Sequence, residues 1–207
     1  MSWLNSLVLE KVGIKFDPHK LKKYVDKVFV LIERIIIKLP RFLNYYIDFY
    51  SEMARKEIDL AGITKDDKIL HLGCGSIPAS SILFNKYTDA KVICIDINER
   101  SVSEAKICIS LLNITKKLEV IHANALNYSM DSFDVIVISQ GINPNKEVLK
   151  HISENINANA RVIYRTSSTF NGELAGNDIF IKDLFNINKI AHHNKNGLLI
   201  SVLLNKK

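Results

Sequence analysis

The pattern of hydrophobic positions changes near Gly62. Before this residue, apolar positions recur at the spacing of one face of a helix. We expect this helix to begin at Asp17 and Pro18, which suit a helix cap and a first turn. Pro40 interrupts the pattern, and a second helix is expected over residues 42–60. The apolar face of the first helix consists of Leu21, Tyr24, Val25, Val28, Leu31, Ile32 and Ile35.

After Gly62, short apolar runs alternate with amphipathic segments. Continuous β-branched runs bounded by helices are typical of strands buried on both faces of a parallel sheet. We predict a series of such strands, with helices over residues 99–112 and 147–156. The predicted strands are residues 69–72, 91–95, 118–121, 133–139 and 161–165.

The end of the chain carries a hairpin signal. Residues 187–193 and 198–204 are apolar runs on either side of residues 194–197, which end in Asn-Gly. The predicted fold class is therefore α/β: a Rossmann-like, doubly wound, mostly parallel sheet with a C-terminal antiparallel hairpin and an N-terminal helical extension. This arrangement is typical of class I methyltransferases. We divide the chain into the helical extension, residues 1–62, and the Rossmann-like domain, residues 63–207.

A glycine loop follows the first predicted strand directly. Doubly wound sheets bind ligands at the carboxyl ends of their strands, and glycines let the backbone turn sharply and approach a ligand. The loop leads into a helix that begins near Pro78, and the free N–H groups at the start of that helix favour a negative group such as a carboxylate. We expect the loop to bind a cofactor through Gly73, Cys74, Gly75 and Ser76.

The second predicted strand adds an acid. Asp96 lies about 20 residues after Gly73, the spacing at which a carboxylate accepts the hydroxyls of a ribose. Loop and acid together favour S-adenosylmethionine, because Pro78 replaces the third glycine of a dinucleotide site and the terminal hairpin fits methyltransferases. A nicotinamide cofactor is the alternative. Further cofactor contacts are expected from Ile97, Asn124, Ala125 and Ser139.

Composition and charge change this picture little. The chain has 207 residues, a formal charge of +6 and a pI of about 9.1. Its basic residues are spread along the chain, which favours an ordinary basic surface over a nucleic-acid groove, although a nucleic-acid partner stays open. The cysteines and histidines show no metal-ligand spacing, and neither a signal peptide nor a membrane-spanning stretch is recognisable. We therefore expect a cytoplasmic protein that binds no metal and no membrane.

Three parts of the sequence resemble nicotianamine synthase and its archaeal relatives. They are residues 73–78 (Gly-Cys-Gly-Ser-Ile-Pro), residues 161–166 (Arg-Val-Ile-Tyr-Arg-Thr), and Tyr50, Glu52 and Glu57. The resemblance extends from about residue 44 to the C-terminus. It implies a class I methyltransferase fold that uses S-adenosylmethionine as the donor of an aminocarboxypropyl group in place of a methyl group. His71 stands where many methyltransferases carry an acid in strand one, an acid that the synthase family also lacks.

The resemblance implies roles for individual residues. Tyr50 and Glu57 are expected on one helix face, close to the sulfonium or to a substrate amine, as the catalytic pair. Arg165 and Thr166 end the fifth strand at the same edge, where an arginine suits a substrate carboxylate. Gln140 follows the fourth strand and completes the expected substrate site.

Three hypotheses about function remain. The first is a methyltransferase acting on a small molecule, which the size and fold favour. The second is aminocarboxypropyl transfer to an amine, which the residue matches favour. The third is a non-catalytic or RNA-associated S-adenosylmethionine-binding protein, which the pI allows. A homodimer through the N-terminal helices is compatible with each of them.

Overall fold

The computed structural model describes most of the chain from residue 32 onward, and its elements are numbered along the chain. The described residues are 32–114, 117–143, 145–168, 174, 179–193 and 199–207. After the helical residues 32–37, the helices are α1 (Pro40–Phe49), α2 (Ser51–Ala61), α3 (Ala79–Thr88), α4 (Glu99–Leu111), α5 (Asn145–Asn155) and α6 (Ile181–Leu184). The strands are β1 (Lys68–Leu72), β2 (Lys91–Asp96), β3 (Leu118–His122), β4 (Val135–Ile138), β5 (Arg161–Ser167), β6 (Phe185–His192) and β7 (Leu199–Lys206).

The strands form one seven-stranded sheet in the order β3-β2-β1-β4-β5-β7-β6. β1 pairs in parallel with both β2 and β4, so the strand order reverses beside β1. β5 continues the parallel part, and β7 lies antiparallel between β5 and β6. The predicted α/β class and its C-terminal antiparallel pair are therefore confirmed. A reversal of strand order is the place where such sheets bind their ligands.

Both faces of the sheet are covered by helices, because alternate residues of each strand point to opposite faces. One face carries Ile69, Val137 and Ile163 and packs against α1, α2, α3 and α4. The other face carries Ile136 and Val162 and packs against α5 and α6. The described N-terminal helices therefore share a hydrophobic core with the first of these faces.

Two breaks divide the N-terminal helices. The helical residues 32–37 end just before Pro40, which begins α1, so the break predicted at this proline is confirmed. The single helix predicted for residues 42–60 is wrong, because a further break at Tyr50 separates α1 from α2. Tyr50 has φ −89° and ψ 0°, in the bridge region that turns commonly use. The predicted helix start at residue 17 lies outside the described residues.

The C-terminal part of the chain contains one helix that was not predicted, the short α6. The predicted turn over residues 194–197 lies outside the described residues. None of the described helices combines the length and the apolar character that crossing a bilayer requires. The homodimer expected through the N-terminal helices stays a prediction. Large apolar side chains that these helices expose are Ile32, Ile35, Leu39, Phe42, Tyr45 and Phe49.

Candidate cofactor and active site

Two glycines shape the loop after β1. Gly73 and Gly75 have φ values of 72° and 70°, in the left-handed region that other residues rarely adopt. A Cβ atom on Gly73 would stand 2.9 Å from Cγ1 of Ile142, so the surrounding chain leaves little room for any side chain there. The Gly73 N–H donates to the Ile95 carbonyl at 2.8 Å and fixes the loop against β2. The loop backbone is thereby held at the carboxyl edge of the sheet.

Asp96 ties this loop to the end of β2. Its Oδ2 atom accepts the Gly75 N–H at 2.9 Å, and its Oδ1 atom accepts the Asn98 N–H at 2.9 Å. Asn98 in turn caps α4 by accepting the N–H groups of Arg100 and Ser101. Each carboxylate oxygen has a second lone pair, so Asp96, which is only half-buried, can also accept the hydroxyls of a ribose.

An apolar surface lies beside Asp96. Ile97 is 67% exposed, and an adenine stacked on it would remove this surface from water. The predicted contacts Asn124 and Ala125 follow β3, whose end is joined to β2 by the hydrogen bond from the Ala123 N–H to the Asp96 carbonyl at 3.1 Å. The structure thus brings the predicted ribose and adenine contacts to one edge of the sheet.

The side chains of Cys74 and Ser76 point away from this edge. Cys74 is buried, and a hydrogen bond with Cys94, together with burial, raises the pKa of the Cys74 thiol well above its usual range. Ser76 is fully buried, and its hydroxyl donates to Oε2 of Glu104 on α4 at 2.7 Å. The backbone of the loop, and not these two side chains, is therefore the part that can contact a ligand.

Ser139 follows β4 next to the loop. Its hydroxyl lies 2.8 Å from Nε2 of His71, and Nδ1 of His71 lies 2.6 Å from the hydroxyl of Ser81 on α3. Burial, reinforced by the charge of Arg165, holds the pKa of His71 well below its usual range, so the imidazole is neutral. His71 is buried on β1, and it connects Ser139 to α3.

A carboxylate that sequence patterns did not single out stands over the loop. Glu33, in the helix before α1, accepts the Ser76 N–H at 3.2 Å through Oε2 and the Tyr46 hydroxyl at 2.8 Å through Oε1. The N–H of Ile77 is a further donor to this carboxylate. Oε2 also stands 3.3 Å from the position that a Cβ of Gly75 would take, so the absence of a side chain at Gly75 permits the close approach.

Two tyrosines complete the Glu33 cluster. The hydroxyls of Tyr46 and Tyr50 lie 3.2 Å apart. Burial raises the pKa of Glu33, the hydrogen bonds from Tyr46 and the loop lower it, and the nearby Asp96 raises it, for a net rise. Burial also raises the pKa of Tyr50, although Tyr46 and Arg165 oppose this. The cluster therefore holds a carboxylate that takes up a proton more readily than usual, beside hydroxyls that keep theirs.

Glu57 and Arg165 were expected in separate roles, but they bind each other. Arg165 donates from Nε and Nη2 to the two carboxylate oxygens of Glu57, both at 2.7 Å. Ser201 on β7 donates to Oε1 of Glu57 at 2.6 Å, and the Ser201 hydroxyl lies 2.7 Å from Nε2 of His193. Glu57 is fully buried. In this structure Glu57 and Arg165 therefore form a mutual ion pair, and their expected roles as base and carboxylate anchor stay predictions.

The other expected substrate residues differ in exposure. Gln140 follows β4, is exposed, and donates from its side-chain amide to the Ser167 hydroxyl at 2.9 Å. Thr166 is buried on β5. Gln140 is therefore accessible to an acceptor at the sheet edge, whereas Thr166 lies inside the protein.

In the described part of the chain, no cluster of three residues suited to bind a metal is found.

The strand order, the glycine loop after β1 and the acid at the end of β2 define a class I S-adenosylmethionine-dependent methyltransferase fold. A family model described as "Methyltransferase domain" matches residues 63–201, which is more than half of the chain. The chain therefore belongs to the methyltransferase domain family, and residues 63–201 form a domain of the S-adenosylmethionine-dependent transferase type.

A curated relative refines the comparison. Over 139 residues the chain is 24% identical to L-histidine 2-aminobutanoyltransferase of Pseudomonas aeruginosa (strain UCBPP-PA14). The matched region covers 66% of this chain and 52% of the relative. The chain thus spans about half the length of the curated relatives that it matches.

Solved structures of nicotianamine synthase share the fold. MtNAS in complex with MTA and tNA has a TM-score of 0.74 and 20% identity, over 90% of this chain and 74% of that one. A mutant of MtNAS in complex with S-adenosylmethionine has a TM-score of 0.74 and 21% identity, over 89% of this chain and 75% of that one. At these identities the similarity is one of fold alone.

S-adenosylmethionine fits the groups at this edge. Asp96 suits its ribose and Ile97 suits its adenine. The N–H groups of Ser76 and Ile77 suit its carboxylate, because the carboxylate of Glu33 already bonds to them. The loop backbone, the acid and the apolar surface therefore offer a suitable group for each of the three parts of the molecule.

Proposed function

We propose that the protein transfers the aminocarboxypropyl group of S-adenosylmethionine to the amine of a small-molecule acceptor, as a nicotianamine-synthase-like enzyme. The observation that carries this proposal is Glu33, a carboxylate of raised pKa that stands over the cofactor loop and bonds to Tyr46. An amine is protonated at neutral pH and must lose a proton before it attacks a carbon. The named activity of the Pseudomonas relative and the likeness to MtNAS support the same reaction.

When bound, S-adenosylmethionine supplies a sulfonium-activated carbon, so that a carbon–nitrogen bond forms while the carbon–sulfur bond breaks and its electron pair leaves on sulfur. Glu33 accepts the proton that the acceptor amine loses. The Tyr46 hydroxyl holds the carboxylate of Glu33 in place by a hydrogen bond, and the Tyr50 hydroxyl lies 3.2 Å from that of Tyr46. In this proposal Tyr50 acts through Tyr46 as a positioning residue for Glu33.

The proposal gives the proton-accepting role to Glu33 and not to Glu57. Glu57 is fully buried and its oxygens are bonded to Arg165 and Ser201, so it is not accessible to an amine. Burial raises the pKa of Tyr50, and the charge of Arg165 opposes this rise. We place the acceptor on this side of the site, with exposed Gln140 at its edge.

Methyl transfer to a small molecule is the second candidate. It is supported by the methyltransferase-domain match over residues 63–201. The two reactions use the same cofactor site and differ in which carbon of the sulfonium faces the acceptor. A nucleic-acid-associated role is a third proposal, which the pI of about 9.1 supports.

The nucleoside product distinguishes these candidates. The purified chain is incubated with S-adenosylmethionine and a panel of amino acids that includes L-histidine, and the products are identified by mass spectrometry. We expect 5′-methylthioadenosine above its spontaneous rate of formation, together with an acceptor that has gained one aminocarboxypropyl group. S-adenosylhomocysteine with a methylated acceptor would replace the proposal with the second candidate.

A further inference from the structure

Glu33 bonds to the part of the loop that the carboxylate of the cofactor needs. The Ser76 N–H donates to its Oε2 at 3.2 Å, the Ile77 N–H is a second donor, and the same oxygen stands 3.3 Å from the Cβ position of Gly75. These N–H groups precede α3, whose N-terminal dipole favours a negative group. Two carboxylates on the same donors would repel each other, so Glu33 and the cofactor carboxylate compete for them.

A second set of contacts keeps Glu33 in the site when it leaves the loop. Oε1 accepts the Tyr46 hydroxyl at 2.8 Å, and the Tyr46 hydroxyl lies 3.2 Å from that of Tyr50. The adjacent Arg34 lies 3.5 Å from Glu104 on α4, which anchors the same helix to the domain. Glu33 can therefore lose its loop donors and remain hydrogen-bonded to the tyrosine.

Release from the loop changes the basicity of Glu33. Burial raises its pKa, and the N–H groups of Ser76 and Ile77 act against this rise. Losing these donors and gaining a carboxylate as a neighbour would both raise the pKa further. The titratable groups that face Glu33 are Tyr46 on α1, Tyr50, Asp96 on β2 and Cys108 on α4.

We propose that Glu33 leaves the N–H groups of Ser76 and Ile77 when the cofactor carboxylate binds, and that it becomes the proton acceptor for the amine only then. The order of binding follows: the cofactor enters first, and the acceptor meets an active base only in its presence. The role of Glu33 as a base rests on the proposed function. The displacement itself does not depend on which carbon of the sulfonium is transferred.

A binding cycle tests the displacement without turnover. S-adenosylhomocysteine and its decarboxylated analogue, which lacks only the carboxylate, are each titrated into the wild-type chain and into Glu33→Gln by calorimetry. In the wild type we expect S-adenosylhomocysteine to bind less than about threefold more tightly than the decarboxylated analogue, because the ligand carboxylate must first replace Glu33. In Glu33→Gln we expect it to add about tenfold or more, because a neutral amide competes less well for the N–H groups.

Glu52→Gln is the matched control, because Glu52 is an exposed glutamate on α2 outside the site. In this variant the ligand carboxylate should add the same affinity as in the wild type. An equal contribution of the ligand carboxylate in wild type and Glu33→Gln would overturn the displacement.

A pH series on the wild type tests the displacement independently, should Glu33→Gln not fold. The contribution of the ligand carboxylate should grow as the pH is lowered from about 8 to about 4.5, because Glu33, whose pKa lies above its usual 4.5, takes up a proton over this range and then competes less well for the N–H groups. A constant contribution over this range would overturn the proposal. If the binding tests succeed but the product is S-adenosylhomocysteine, the proposed reaction is wrong and the displacement stands. If the ligand carboxylate contributes equally in wild type and Glu33→Gln but the product is 5′-methylthioadenosine, the proposed reaction stands and the displacement is wrong.

Discussion

Two glutamates lie on the same side of the sheet in opposite electrostatic situations. Glu57 has both oxygens bonded to the guanidinium of Arg165. The described donors to Glu33 are the Tyr46 hydroxyl and backbone N–H groups, and the nearby Asp96 repels it. An ion pair with a buried cation ties two elements of the fold together, whereas burial without a cationic partner moves a carboxylate such as Glu33 towards protonation. The first situation holds a fold together, and the second suits proton transfer.

The largest expected effect on stability comes from the paired glutamate. Glu57→Gln removes the negative partner of Arg165, whose side chain is only 8% exposed, and leaves an uncompensated buried cation. We expect a loss of about 3–5 kcal/mol in the free energy of unfolding, measured by urea denaturation. Glu52→Gln on the same helix is the control and should leave the unfolding midpoint unchanged. A loss below about 1 kcal/mol would mean that the pair is not a main support of the fold.

The largest expected effect on activity comes from the other glutamate. Glu33→Gln keeps the shape of the side chain but removes the proton acceptor, so kcat should fall by about 10²–10⁴-fold. S-adenosylhomocysteine should still bind, which calorimetry checks in parallel. Unchanged turnover in this variant would move the proton acceptor to another residue.

The same substitution should raise stability at neutral pH. Since the pKa of Glu33 is above its usual value of 4.5 in the folded protein, the native state binds more protons than the unfolded state, and stability falls as the pH rises. Glu33→Gln removes this loss. Its melting temperature should exceed that of the wild type at about pH 8, and the difference should vanish below about pH 4.5. A difference that does not depend on pH would contradict the raised pKa.

The buried histidines should change the pH dependence of stability by a smaller amount and in the opposite direction. Burial lowers the pKa of His71 and of His193 below 6.5, so the native state binds fewer protons than the unfolded state. Their contribution is fully present above 6.5 and is lost as the pH falls below it. His71→Asn should lose less stability than the wild type between about pH 6.5 and 5, measured by thermal melts. An identical pH profile would show that His71 does not titrate on unfolding in this range.

Much of the fold could be predicted because its signals are local. The β-branched runs gave the parallel strands, and Pro40 gave a helix break through its missing N–H group. The break at Tyr50 could not be predicted, because neither proline nor glycine marks it. The glycine loop and Asp96 were likewise local features of known spacing.

The two glutamates could not be distinguished in this way. In the sequence, Glu33 interrupts an apolar helical stretch and resembles a charged surface position. Its partner Ser76 lies 43 residues further along the chain, and Arg165 lies 108 residues from Glu57. Only tertiary packing decides which carboxylate meets a cation. An acid within an apolar helical stretch, followed by Tyr46 and Tyr50 four residues apart, was the available signal for Glu33.

The most direct test of the central claim compares the nucleoside released by the wild type and by Glu33→Gln in a single turnover with S-adenosylmethionine and an amino-acid acceptor. We expect 5′-methylthioadenosine from the wild type and only its spontaneous background from the variant. S-adenosylhomocysteine from the wild type, or 5′-methylthioadenosine at an equal rate from both proteins, would contradict it.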